Sequence, residues 1–168
     1  MTLIDQFIAE LEREAPRTRR VLAEVPQGKD DWKPHAKSMP FGRLAGLVAS
    51  MPSWFSLIID QDELDVAPPA GGGQYKPPAM DQLVAVHDQL LAKAYESLRK
   101  RDDHYILTTK WKLLAGGHVA AEDPRHIVIR DTINHWAHHR GQLTVYLRLL
   151  DAKVPSIYGP SADDQRFL

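Results

Sequence analysis

Apolar residues recur at three- and four-residue spacing along four stretches of this chain, a rhythm that belongs to helices with one buried face. The first stretch covers residues 2–24. Thr2 is placed to cap it, and Leu3, Ile4, Phe7, Ile8 and Leu11 form its stripe. Pro16 lacks a backbone donor and crowds the preceding turn, which predicts a kink or break near Ala15. Val21, Leu22 and Val25 resume the stripe before Pro26-Gln27-Gly28 ends it. The second stretch, 41–62, carries Phe41, Leu44, Ala45, Leu47, Val48 and Met51, then Trp54, Phe55, Leu57 and Ile58, with a bend expected at Pro52. The third, 79–101, repeats Leu83, Val86, His87, Leu90, Leu91, Ala94 and Leu98 and closes on Arg99-Lys100-Arg101, charges that suit a helix C-terminus. The fourth starts near Pro124, a favourable first-turn residue, and reaches Leu150.

Between these stretches, residues 66–78 read as an irregular Pro- and Gly-rich loop, and 151–168 as a tail. Residues 103–123 are ambiguous. Tyr105-Ile106-Leu107-Thr108-Thr109 fits a short extended piece, and Gly116-Gly117 breaks the chain. Four amphipathic helices without a convincing set of strands predict an all-α fold. The simplest such arrangement is an antiparallel four-helix bundle built as a single domain over residues 1–168.

Charge and residue usage narrow the partners. Lys and Arg number 21 against 22 Asp and Glu, so there is no basic field to attract phosphates, and no nucleic-acid partner is expected. The chain has no cysteine, which removes disulfides, thiolate nucleophiles and cysteine-ligated metal and fits a reducing cytoplasm. The N-terminal residues do not pattern as a signal peptide, and no apolar run reaches membrane-spanning length. The expectation is a cytoplasmic protein with no membrane partner.

The densest chemistry lies in His135-Trp136-Ala137-His138-His139-Arg140-Gly141-Gln142. His135 and His139 are four apart, which stacks two imidazoles on one helical face within reach of one metal ion. His138 is three from His135, so spacing alone leaves the pairing open. It equally allows one buried, hydrogen-bonded histidine with two in solvent. Trp136 stands where a zinc protease helix places its glutamate base, which excludes that motif. There is no Gly-x-Ser-x-Gly elbow, and Gly71-Gly72-Gly73 lacks the Lys-Ser/Thr of a phosphate loop. Gln142, three residues after His139, is placed to orient a ligand or water. His35, in a loop beside Trp32 and Pro34, is either a pocket-mouth residue or an exposed one. These two are the substrate-binding candidates; no catalytic residue can be named. Arg140 is expected to pair with Asp163 or Asp164 and hold the tail, His126 to lie on another face, His87 to be a core or boundary histidine, and Trp54, Trp111 and Trp136 to pack.

The segment His135–Arg148, followed by Val154-Pro155-Ser156-Ile157-Tyr158-Gly159-Pro160-Ser161-Ala162-Asp163, resembles the DinB-like family, which includes YfiT-type metal-dependent hydrolases and low-molecular-weight thiol S-transferases. Trp32-Lys33-Pro34-His35-Ala36-Lys37-Ser38-Met39 and Leu44-Ala45-Gly46 extend the likeness over most of the chain. The resemblance implies a four-helix bundle of the DinB/YfiT type with a divalent metal, zinc or nickel, near its open end. Three histidines would hold it, two of them at His135 and His139. The third would fall on the second helix, at a position that here is Leu47. A hydrocarbon has no lone pair to give. The site could be empty, with its histidines hydrogen-bonded; His35 could complete it; or metal could bind weakly through two imidazoles and water. The implied function is a metal-dependent transferase or hydrolase acting on a small-molecule substrate, with the thiol supplied by a small cofactor. The alternative is a degenerate bundle that binds a small molecule or a stress-related partner. The resemblance also implies a homodimer.

Overall fold

The structure, a computed structural model, describes residues 1–68 and 75–166; the Gly71-Gly72-Gly73 run and most of the predicted loop's centre lie outside them. Helix α1 spans Leu3–Ala23. Its first turn is closed by a capping box: the Asp5 amide donates to Thr2 Oγ1 at 3.0 Å, and the Thr2 amide donates to Asp5 Oδ2 at 2.9 Å. The break expected near Ala15 does not occur, and α1 runs through Pro16 as one helix. Pro16 lies on the exposed face, as does Glu12, whose carbonyl loses its amide donor and can meet water instead. On the buried face the Glu14 carbonyl accepts from Thr18 Oγ1 and from Arg140 Nη1, each at 3.2 Å, so a neighbouring helix clamps the same turn.

The second stretch forms two helices, α2 (Phe41–Ser50) and α3 (Ser53–Asp60), bent by 49° at Met51-Pro52. A 3-10 turn, Met80–Gln82, leads into α4 (Leu83–Arg99), and Arg125–Leu149, the longest helix, starts directly after Pro124; with a short α5 (Asp103–Thr108) between them it is α6. Helices α1, α4 and α6 and the bent α2–α3 arm pack around one core in which Leu11, Phe41, Phe55, Ile58, Leu98 and Leu143 are sealed from solvent. No single helix among the described residues is long and apolar enough to cross a membrane.

The fold is mostly helical, but it is not the all-α four-helix bundle predicted. Strands β1 (Glu63–Asp65), β2 (Lys110–Ala115) and β3 (His118–Pro124) form a sheet in the order β1-β2-β3, with β1 parallel and β3 antiparallel to β2. Of the expected extended piece Tyr105–Thr109, only Thr109 is extended and the rest is helical: Asp102 caps α5 by accepting from the Tyr105 amide at 2.9 Å, and Ile106 is buried. Gly116 and Gly117, at φ of 63° and 79°, then turn the chain back on itself, a conformation that suits a two-residue hairpin and penalises residues with a Cβ.

Two buried arginines fasten these parts together. Arg125, at the start of α6, donates to the carbonyl of Ile58, to the carbonyl of Gln61 at 2.6 Å, to Asp62 at 2.6 Å and to Thr109 Oγ1 at 2.9 Å, which ties the end of α3 to the base of the hairpin. Arg140 does not pair with Asp163 or Asp164. Its Nη2 reaches Glu14 Oε2 and Tyr158 Oη, both at 2.5 Å, and Nη1 reaches Thr18 Oγ1 at 3.0 Å. The two tail aspartates have nearer partners, Arg148 for Asp163 and Arg166 for Asp164, each at 2.7 Å. Arg140 still holds the tail, through Tyr158 rather than through a carboxylate.

Candidate functional site

The rotation of α6 about its axis is set by Trp136. The ring is sealed in the core against Phe55 and His87, and its Nε1 donates to the Val48 carbonyl of α2 at 2.9 Å. With position 136 fixed inward, the face bearing Asp131, His135, His139 and Gln142 turns toward the mouth of the bundle. There the hairpin stands opposite. Trp111 and Leu113 of β2 are cross-strand partners of Asp123 and Ala121 of β3, so all four share its inner face. Between that face and Val128, Asp131, Thr132 and His135 of α6 lies a cavity of about 300 Å³, with Trp54 of α3 as its remaining wall.

His135 and His139 come together at this mouth. Their Nε2 atoms are 2.7 Å apart, and His139 Nδ1 is 2.8 Å from Gln142 Oε1. The amide oxygen can only accept, so His139 carries its proton on Nδ1. With both rings neutral, His139 Nε2 then accepts from His135 Nε2–H, which leaves the lone pair on His135 Nδ1. The wall that covers part of the His135 ring disfavours its charged form, and positive charge on His139 or His138 adds to this, so its pKa lies below the usual imidazole value.

The other candidates separate from this pair. His138 is exposed, its ring 5.2 Å from that of His139. His35 is an exposed loop residue whose Nδ1 accepts from the Lys37 amide at 3.1 Å, and it lines neither this cavity nor its neighbour. His126 Nδ1 meets the Ile106 carbonyl at 3.2 Å. His87 is fully buried. Sequence reasoning missed Asp123 and Asp131 and took Trp54 and Trp111 for packing residues alone. The two indoles do pack, with centroids 6.3 Å apart, and they also wall the cavity. Asp131 carried a usable signal, since it lies four residues before His135. Asp123 became readable only with the hairpin register.

The donor set can be tested against the metal that the histidine spacing suggests. Two imidazoles bound tetrahedrally to zinc at about 2.0–2.1 Å would hold their nitrogens about 3.3 Å apart; here the gap is 2.7 Å, the length of a hydrogen bond. Leu47 lines a separate cavity of about 360 Å³ with Arg43 and Leu57. Trp54 borders both spaces, whereas Leu47 lines only the one and His135 only the other. Among the described residues no third His, Asp or Glu gathers with the pair into a group able to hold a metal ion. The residues present therefore do not fit a three-ligand centre.

A helical bundle closed at one end by a β-hairpin, with paired imidazoles at the mouth of an aromatic cavity, is the class of protein that this fold and site define. The chain belongs to the DinB family, whose sequence profile matches residues 1–166. It is similar to the uncharacterised protein YrdA of Bacillus subtilis strain 168, at 24% identity over 162 residues, covering 96% of this chain and 91% of that protein. Among solved structures it is similar to a DinB-like protein from Bacillus cereus ATCC 10987, with a TM-score of 0.68 and 20% identity over 92% of this chain and 97% of that one. It is also similar to the DinB-like protein YjoA of Bacillus subtilis, with a TM-score of 0.67 and 16% identity over 96% and 99%. At these identities the structural likeness establishes the fold.

Proposed function

We propose that this chain is a small-molecule-binding member of the DinB family. In it His135 and His139 work as a hydrogen-bonded pair at the polar end of the hairpin cavity rather than as two-thirds of a metal centre. The observation that carries this reading is the contact between the two Nε2 atoms at 2.7 Å, anchored by Gln142 on His139. The pair spends its coordinating lone pair internally and leaves His135 Nδ1 as the acceptor offered to a ligand. The cavity supplies what a small-molecule site requires, an apolar body with a few converging polar groups, at the lower end of the usual size range.

A second reading is favoured by the convergence of the same two nitrogens. Opening the rings by a few tenths of an ångström would let them share a zinc or nickel ion, with water and a low-molecular-weight thiol completing the shell of a metal-dependent transferase or hydrolase. Metal content after exhaustive dialysis against chelator-free buffer separates the two. We expect the parent protein to retain well under one equivalent after exposure to zinc or nickel, and Leu47→His to retain more. One equivalent held by the parent would overturn the small-molecule reading in favour of the metal enzyme.

A further inference from the structure

The cavity beside His135 has a chemical bias that identifies a class of ligand. Its body is apolar and aromatic: Trp54 and Trp111 present tilted indoles, and Leu113 extends the wall. Its polar edge is made of acceptors. Asp123 on the hairpin and Asp131 on α6 line opposite sides, and neither takes part in an ion pair or a side-chain hydrogen bond among the described residues. Other acidic side chains that meet a neighbouring element are taken up by arginine, Glu14 by Arg140, Asp62 by Arg125 and Asp163 by Arg148, whereas Asp123 and Asp131 are exposed at the cavity. His135, whose Nδ1 the tautomer argument leaves as an acceptor, lines the same space. No lysine or arginine lines the space.

The indole on the hairpin side of the wall is itself deeply held. Trp111 is 2% exposed and its Nε1 has no hydrogen-bond partner, whereas the buried Nε1 of Trp136 is satisfied by the Val48 carbonyl. Buried indole N–H groups ordinarily find a partner. The Trp111 Nε1 is sealed from solvent, so it is the indole ring rather than its N–H that the cavity presents.

We propose that the cavity between the hairpin and α6 binds a small organic ammonium ion, its apolar part against Trp54, Trp111 and Leu113 and its charged nitrogen facing Asp123 and Asp131. Indole faces attract a cation through their quadrupole, and two carboxylates at the rim add a charge-assisted hydrogen-bonding edge. An anionic ligand of the same shape meets two like charges, and a neutral one gains nothing from the carboxylates. The inference rests on the small-molecule reading above and names the class of molecule that site takes.

The test is a titration followed by the indole N–H resonances of the four tryptophans, with that of Trp111 assigned through Trp111→Phe. Phenethylammonium, 2-phenylethanol and 3-phenylpropanoate serve as cationic, neutral and anionic probes of similar shape. Phenethylammonium is expected to move the Trp111 and Trp54 resonances and to bind at least tenfold more tightly than the other two. The double variant Asp123→Asn/Asp131→Asn should weaken that binding at least tenfold while the core Trp136 resonance stays in place, which shows the fold intact. Equal binding of all three probes, undiminished binding by the double variant, or a Trp111 resonance that never moves would each overturn the proposal. Equal binding at Trp111 would leave the small-molecule reading standing and remove only the charge preference; failure of the wider reading is seen separately, as metal retained on dialysis.

Discussion

Replacing Arg140 with alanine should be among the most damaging single changes in this protein. The guanidinium side chain is 2% exposed and the Glu14 side chain 10% exposed, at a separation of 2.5 Å. Removing the cation strips Glu14 of one charged partner, leaves the Glu14 carbonyl and Thr18 hydroxyl one bond short, and frees Tyr158 from its second partner. Breaking a buried pair from one side costs about 3–5 kcal/mol, because the remaining charge is left desolvated. Arg17 still reaches Glu14 at 2.5 Å and Tyr158 Oη still donates to it at 2.8 Å, so the lower end, about 3 kcal/mol, applies. For a chain of this length that is a fall in Tm of about 6–12 °C. Glu14→Leu/Arg140→Met removes both charges and should recover most of the loss, since a well-packed apolar pair is commonly as stable as a buried ionic one. Urea unfolding with limited proteolysis of the tail reads both effects. An Arg140→Ala protein within 1 kcal/mol of the parent, with its tail equally protected, would refute the assignment of Arg140 as the clamp between α1, α6 and the tail.

The same network gives a pH dependence. Burial alone would raise the Glu14 pKa, but hydrogen bonds and charge from Arg140, with Tyr158 and Arg17 helping, hold it below the usual glutamate value. Its stabilisation is therefore complete above the unfolded-state pKa and is lost as pH falls through the folded-state value, a loss that the Glu14→Leu/Arg140→Met protein should lack in acid titrations of stability. His87 acts higher on the scale: burial disfavours its imidazolium more than Asp88 favours it, so its folded pKa lies below the unfolded one, and stability falls as pH drops below about 6.5. Because its Nε2 is also unpartnered, His87→Phe should be tolerated at pH 7 and should gain on the parent at pH 5.5; an identical slope in both proteins would count against this. Gly46→Ala should destabilise by about 1–3 kcal/mol in thermal melts, since the new Cβ would stand 2.6 Å from Pro77 Cβ and 3.0 Å from Pro78 Cδ, with little freedom in either ring to move.

What could be read from the sequence was what local spacing encodes. The Thr2 cap, the bend at Pro52, and a long helix opening after Pro124 all depend on neighbours within a turn, and the structure has each of them. The approach of His135 to His139 is of the same kind, although spacing left His138 as a rival that the rotation of α6 removes. What could not be read depended on distant partners. Pro16 signals a kink or break, yet the helix continues through it, and its neighbouring turn is clamped by Arg140, 126 positions from Glu14 in sequence. The acidic tail suggests Asp163 or Asp164 as the partner of Arg140, while its carboxylate partner, Glu14, is on the first helix. Tyr105–Thr109 has the β-branched and aromatic content of a strand, but the Asp102 cap and burial of Ile106 outweigh that preference. The true strands escaped notice because β2 alternates lysine with Trp111 and Leu113 over only six residues and β3 is exposed along most of its length.

That short hairpin links the fold to the candidate site. β3 ends at Pro124 and α6 begins at Arg125, so no loop absorbs movement between the strand bearing Asp123 and the helix bearing Asp131 and His135. Arg125 locks the junction: its guanidinium is bonded to the end of α3, and Trp54, the wall shared by both cavities, lies on that same helix. A helix turns about 100° per residue, so even a one-residue slip at the junction would carry His135 off the cavity and drive Trp136 out of the core. The phase is therefore fixed twice, by Arg125 at the start of α6 and by the Trp136–Val48 hydrogen bond three turns later. Alignment of the imidazoles, the acidic edge and the indoles thus follows from packing that would be needed for stability even with no ligand at the mouth. The Trp111 Nε1 is not accounted for by that packing: its ring seals the sheet against the bundle and walls the cavity, but its buried polar atom is left without a partner.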